Sequence, residues 1–406
     1  MPSPQPAAQP DARTHPASTR SAEWALLFGN FAIGCGIMVV GGTLNNLAQS
    51  LAVSVASAGQ LITAGAAAVA VGAPLAAAAV AGMDRRRLLT WSLVWYAIGH
   101  LLAALMPSYG TLMPVRALGL LAAAVFTPQA AAALSVMVPP EQRGRAITFI
   151  FLGWSISSVV GLPMAAWLGE VLGWRWAFIG ATVLALLAAV AVWRTVPDGV
   201  RPAALSRASW AQVFTQPGPL AVVLVTALTS AGQFTLMAYL APYFRQVLNA
   251  TPNQVSLLFL WFGAMGVLGN MLMSRHIDRL GAGRTVAITL LCIGATMLAW
   301  PLAGSMVAML IVLTPWALGC FSSNSAQQAR LVLIAPMLAP ALIALNSSAI
   351  YLGQALGAAS GGAIIAQYGY DPLHWVAMVW LVAAVVLSQW ASRRLQHSRQ
   401  VPVHSA

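Results

Sequence analysis

The chain contains no lysine; all twenty of its basic residues are arginine. A P-loop needs a lysine at the β- and γ-phosphates, so an ATP-driven pump carried on this chain is excluded. A lysine Schiff base of the kind a retinal-linked pump uses is excluded with it. Acid is scarce too: eight Asp and Glu occur in 406 residues, and charged residues make up 7% of the chain. Soluble proteins carry roughly 25% charge, so a soluble surface cannot be built from this sequence. The three cysteines, Cys35, Cys292 and Cys320, each lie inside an apolar run. An odd number so placed implies neither a disulfide framework nor a metal site, and the thiols are expected to pack as small apolar groups.

What is abundant is hydrocarbon, at 59% of the residues. Twelve membrane spans of about 20 residues would use about 240 residues. Twelve apolar runs are present, at 24–44, 58–80, 88–106, 110–136, 146–168, 175–194, 218–240, 253–274, 285–302, 306–329, 341–365 and 374–391. The third and fourth merge in hydropathy, and only Met106-Pro107-Ser108-Tyr109-Gly110 marks the turn between them. The expected organisation is a disordered tail at 1–21, a six-helix bundle at 22–194, a central loop at 195–217, a second bundle at 218–392 and a tail at 393–406. Residues 1–21 lack the apolar core of a secretory signal.

The formal net charge of +12 invites a nucleic-acid reading, but the arginines lie in short loops between spans, where membrane orientation explains them. With both termini cytoplasmic, seventeen arginines are inside, only Arg175 and Arg245 are outside, and Arg116 is within the membrane. That bias predicts a multi-pass membrane protein with both ends cytoplasmic and anionic lipids as partners. The halves also echo each other at a spacing of roughly 200 residues, as transporter repeats do. Pro114-Val115-Arg116-Ala117-Leu118-Gly119 parallels Pro315-Trp316-Ala317-Leu318-Gly319, Arg85–Arg87 parallels Arg284, and Gly161 and Gly173 parallel Gly357 and Gly369. The fold class is therefore all-α, with two pseudo-symmetric six-helix bundles.

Local motifs carry a resemblance. Gly269-Asn270, then Asp278-Arg279-Leu280-Gly281 and Arg284, is similar to the loop motif between helices 8 and 9 of the major facilitator superfamily. Arg116 sits where the drug/proton antiporter branch places its membrane arginine. Gly153 to Gly161-Leu162-Pro163, followed by Gly173-Trp174-Arg175, resembles that branch's antiporter signature in the fifth helix. Asn346-Ser347-Ser348, Tyr351-Leu352-Gly353-Gln354 and Gly357 resemble bacterial arabinose-efflux-type permeases. The resemblance covers about residues 22–392. Two positions depart from it. Ala81 replaces an acid before Asp84-Arg85-Arg86-Arg87, and Ile37 stands where many relatives carry a membrane-embedded acid in the first helix. No Asp or Glu lies in the central part of any predicted span.

Arg116 lies about 9 Å deep at 1.5 Å per residue. A charge at that depth faces the bundle interior or a water-filled cavity. It is a candidate for substrate binding or proton coupling, against the plainer reading of a guanidinium bonded to neighbouring carbonyls. His100, with an unperturbed pKa of about 6.5, suits proton exchange, against a hydrogen-bonded structural histidine. The resemblance places helices 1, 4, 7 and 10 at the centre, with contributions from 2, 5, 8 and 11. Asn30, Gln129, Trp154, Gln233, Tyr239, Trp261, Asn324, Tyr351 and Gln354 are then candidate substrate contacts, although polar side chains in lipid also bridge helices. Asp278 with Arg279 and Arg284, and Asp84 with Arg85, are candidates for a conformational switch between the halves. Gly161 and Pro163 are candidates for a bend in the fifth helix. Gly353, Gly357 and Gly361 form a strip for close helix packing.

The resemblance implies a secondary transporter working by alternating access as a monomer, without cofactor or metal and not an enzyme. The expected activity is export of a small neutral or amphipathic solute, such as a sugar-like metabolite or hydrophobic antibiotic, against protons. An acid-free cavity suits such a ligand better than a permanent cation. A proton-independent uniporter is the alternative, because of Ile37. A non-transporting membrane receptor is a further one, for which the tails and loop are small. No Ser/His/Asp set can be placed within one bundle half for an intramembrane enzyme.

Overall fold

A computed structural model of the protein describes residues 16–80, 82–139, 142–202 and 207–400. The described residues form helices and no strands. Twelve helices are long and apolar enough to cross a membrane: α1 (Thr19–Ser50), α2 (Val55–Ala76), α3 (Arg85–Leu105), α4 (Tyr109–Met137), α5 (Arg145–Val171), α6 (Trp174–Thr195), α7 (Pro217–Gln246), α8 (Pro252–Ile277), α9 (Ala282–Leu302), α10 (Met306–Ile334), α11 (Ala341–Tyr368) and α12 (Leu373–Arg394). Hydrocarbon offers the backbone no partners, so each span must satisfy its own N–H and C=O groups, which a helix does.

The turns follow from local chemistry. Side chains of Ser54, Asp84, Ser108, Thr251 and Ser305 cap the amino ends of α2, α3, α4, α8 and α10, taking up N–H groups that have no partner within the helix. Gly281 and Gly369, at φ 81° and 74°, end α8 and α11 in the left-handed region that glycine enters without strain. An even number of spans leaves both chain ends on one face of the membrane, the terminal face.

Two differences from the sequence expectations stand out. The first helix already begins at Pro16 and the last runs to Gln400, so the tails are shorter than expected; residues 1–15 and 401–406 lie outside the described set. The central loop holds a short helix, Arg207–Thr215. Val213 of that helix is buried in the core of the second bundle.

The distribution of the core fixes the conformation. Toward the far face, one hydrophobic cluster joins Leu162 and Ala166 of α5 to α7–α10 and α12, and a second joins Tyr239 and Ala358 to α1, α2, α4 and α6. Toward the terminal face the fully buried members separate, one cluster within α1–α6 and the segment just after it, the other within α7–α12 and the linker helix. The halves are fused on the far side and parted on the terminal side.

Candidate functional site

Between the parted halves lies a cavity of about 590 Å³. Its lining begins near mid-membrane, at Ile37, Arg116 and Gln233, and continues to Pro74, Thr148, Val332 and Ile343 near the terminal ends of α2, α5, α10 and α11. Among the described lining residues Arg116 is the one charged side chain, and there is no carboxylate. Of the residues the sequence singled out, Arg116, Trp154, Gln233, Asn324, Tyr351 and Gln354 line it.

Four other candidates are placed elsewhere, three of them held by identifiable partners. Asn30 is fully buried, donates to the Ile150 carbonyl at 3.1 Å and accepts from the Thr127 hydroxyl at 2.9 Å, so it ties α1 to α5 and α4. Tyr239 is fully buried beyond the cavity and donates to the Ala358 carbonyl at 2.7 Å. Trp261 is turned to the outside of the bundle at 37% exposure, donating to the Leu310 carbonyl and the Thr314 hydroxyl. Gln129 is buried outside the lining. The groups missed are mostly hydroxyls, including Thr226, Ser230 and Ser348. Several donate to a carbonyl four residues back in their own helix, as Thr229 does to Val225 and Ser348 to Ala344, which hides them in a sequence read for unsatisfied polar groups.

At the mid-membrane end, Arg116 and His100 form a pair. Arg116 Nη1 lies 3.0 Å from His100 Nε2, and Nη2 donates to the Ile37 carbonyl at 3.0 Å. The guanidinium also sits 5.4 Å over the Phe178 ring, and its Nε has no hydrogen-bond partner among the described residues. The imidazole is held on both sides: Nδ1 is 2.9 Å from the Tyr96 carbonyl and Nε2 is 3.1 Å from the Gly36 carbonyl. Tyr96 donates in turn to the Ile33 carbonyl at 2.7 Å. Arg116 has only N–H donors, so its bond to Nε2 needs a bare nitrogen there. The proton of the neutral ring is then on Nδ1, facing Tyr96. Close approach is made possible by the Gly99–Gly119 crossing of α3 and α4, where a Cβ on Gly99 would meet the Gly119 Cα at 2.5 Å. All of these groups belong to α1, α3, α4 and α6. His100 is thus not part of the lining itself but directly behind it.

Among the contacts between the halves that close the far side, three stand out. Ser158 and Val159 of α5 lie against Gly263 of α8, where a Cβ would stand 2.6 Å from the Val159 Cα. Tyr239 of α7 fills the space between Gly59 of α2 and Gly361 and Gly362 of α11. Arg245 of α7 faces Glu170 of α5 at 3.8 Å, in a small polar recess with Asn45, Gln49 and Gln246. In the adjoining loop, burial pushes the Tyr370 phenol up to about 12, so it stays neutral against Tyr243.

The α5 segment in this seal is distorted. Residues Ser157–Gly161 form one π-helical turn, in which the Leu162 N–H donates to the Ser157 carbonyl. Pro163 follows with no N–H of its own, leaving the Val159 carbonyl without its usual partner. The bend expected at Gly161 and Pro163 is therefore a local widening of the helix, and Gly161 packs against Cys35.

The loop candidates are placed as follows. Asp84 caps α3 through the Arg87 N–H and accepts a second bond from the Gly199 N–H at 2.7 Å. Arg85 donates to the Val80 and Met83 carbonyls. Asp84 therefore joins α3 to the start of the central loop, and Arg85 joins it to the turn that follows α2. Arg279 and Arg284 are exposed on the terminal face, and the Asp278 side chain lies outside the described set.

A chain of twelve helices, closed on one face around a central acid-free cavity open to the other, has the architecture of an alternating-access membrane transporter. The family model for the Major Facilitator Superfamily matches residues 26–337 and 222–404, and the chain belongs to that superfamily. It is 32% identical to the inner membrane transport protein YdhP of Escherichia coli over 86% of this chain and 90% of that protein. It is 25% identical to a probable sugar efflux transporter of Helicobacter pylori, over 83% and 88%. A bacterial homologue of the human lysosomal transporter Spinster, solved inward-facing and unoccupied, superposes with a TM-score of 0.78 at 16% identity, covering 96% of this chain and all of that one. The protein is a multi-pass membrane transporter of this superfamily, and not an enzyme.

Proposed function

We propose that this protein exports a small neutral or amphipathic solute across the bacterial inner membrane in exchange for protons, with His100 as the proton site and Arg116 as the group it controls. The arginine-rich terminal face is the cytoplasmic one on this reading. The name of the Helicobacter pylori relative, a probable sugar efflux transporter, supports the outward direction and a sugar-like cargo.

The observation that carries the coupling is the double environment of His100 Nε2, with Arg116 Nη1 at 3.0 Å and the Gly36 carbonyl at 3.1 Å. The neutral ring accepts from Arg116. A ring protonated on Nε2 donates to Gly36 instead, an acceptor already in place, and repels the guanidinium. Protonation thus releases Arg116 toward the cavity, and deprotonation draws it back. Ile37 supplies only its carbonyl to this arrangement, so the absence of an acid there leaves the switch intact.

The test is accumulation in proteoliposomes under an imposed pH gradient, with wild type and His100→Gln compared. The variant is expected to lose gradient-driven accumulation while still equilibrating solute. Equal accumulation by both would refute His100 as the proton site. Equilibration alone by wild type would make the protein a uniporter.

A further inference from the structure

The two walls of the cavity differ in chemistry. All six amide side chains of the described lining, Gln233, Asn270, Asn324, Gln327, Gln328 and Gln354, come from α7, α8, α10 and α11. The facing wall is dominated by hydrocarbon from α1, α2, α4 and α5, including Met38, Ile62, Val69, Leu120 and Phe151. Hydroxyls on that wall are in part already engaged: Thr127 donates to Asn30, and Ser158 to the Ser155 carbonyl. On the amide wall Gln327 is 2% exposed, donates to the Val222 carbonyl at 3.2 Å, and has an Oε1 with no partner among the described residues. Gln327 thus ties the amide wall to α7, and the amide groups offered to the cavity come from its neighbours in the lining, Gln328 and Gln354 among them.

Resting on the export reading above, we propose that the cargo is a facially amphipathic, uncharged molecule. Its hydroxyl-bearing edge lies on the amide wall of the second half, and its hydrocarbon face lies on the wall of the first.

Amides both donate and accept, and a row of hydroxyls does the same, so the two surfaces satisfy each other without charge. A permanent cation finds no carboxylate to offset its desolvation and meets Arg116 instead. A free sugar satisfies one wall and leaves the hydrocarbon of the other exposed to water. The volume of about 590 Å³ is within the range of pockets for small organic ligands. Proton handling and cargo recognition then belong to opposite halves of the molecule.

The experiment uses the full-length protein in nanodiscs free of glycosidic detergent. Binding of phenyl β-glucoside, glucose and tetraphenylphosphonium is measured by calorimetry at several pH values. Phenyl glucoside is expected to bind at least about tenfold more tightly than either of the others, as one aryl group in an apolar pocket provides. Gln328→Leu is expected to weaken it about tenfold with no change in its pH profile, and Phe151→Ala to bring it near glucose. Tetraphenylphosphonium binding as tightly as the glucoside, glucose matching the glucoside, or no glucoside binding would each overturn the proposal. None of these outcomes touches proton-driven transport, which the accumulation assay reads separately.

Discussion

Replacing Gly59 by alanine is expected to open the far face. Tyr239 is fully buried, and its hydroxyl and ring edge occupy the space a Gly59 Cβ would take. The ring has little room to retreat: Gly361 backs it, with a Cβ there only 2.9 Å from the ring, and its hydroxyl is bonded to Ala358. Gly59 and Tyr239 belong to opposite halves, so the clash exists only while the far face is closed. Overpacking a tight site costs about 1–3 kcal/mol. At 1.4 kcal/mol per factor of ten, the outward-open fraction should rise between about fivefold and 150-fold. The readout is labelling of Met38→Cys, a cavity position beneath the seal, by an impermeant maleimide added from the far side. Cys35, Cys292 and Cys320 are first replaced by alanine. Far-side labelling should accelerate in Gly59→Ala, and Tyr239→Ala in the same chain should abolish the effect of the added methyl. Unchanged labelling, or an effect that persists without Tyr239, would refute the steric argument.

Glu170→Gln removes a partly exposed pair worth at most about 1 kcal/mol, so far-side labelling of the same reporter should rise no more than about fivefold and less in high salt. Arg116→Lys retains charge but cannot reach both His100 and the Ile37 carbonyl in one fork, and gradient-driven transport should fall about tenfold or more. Asp84→Ala loses a cap and the bond to Gly199, which should lower stability by about 1–2 kcal/mol in a thermal assay while leaving cargo affinity unchanged. Ser388→Ala removes the hydroxyl that accepts from buried Arg330 at 2.9 Å; a loss of about 1–3 kcal/mol is expected, again without a change in cargo affinity.

The spans were legible because a bilayer imposes length and apolarity on each helix independently of its neighbours. Depth was legible too, which is why Arg116, Asn324 and Gln354 stood out, while Gln327 and Gln328 nearer the terminal end of α10 did not. Rotation about each helix axis was not, because it is settled by bonds between helices. Asn30 turns toward Ile150 and Thr127, and Tyr239 toward Ala358, and nothing local to either residue announces those partners. The pairing of Arg116 with His100 joins two helices through a glycine crossing, which spacing along the chain does not reveal. The contrast between the walls emerged only once both were known, since half of the signal is the absence of amides from one of them.

The π turn of α5 can also be regarded as one residue more than an α-helix needs. A π turn holds about one residue more than the 3.6 of an α turn, so the extra residue among Ser157–Gly161 is absorbed where it stands and the helix on either side keeps its facing. A chain that had lost this residue would still be apolar, helical and able to insert, with the same sides of α5 turned to its neighbours. What it would lose is the local swelling that brings Ser158 and Val159 against Gly263, and with it one of the places where the halves meet.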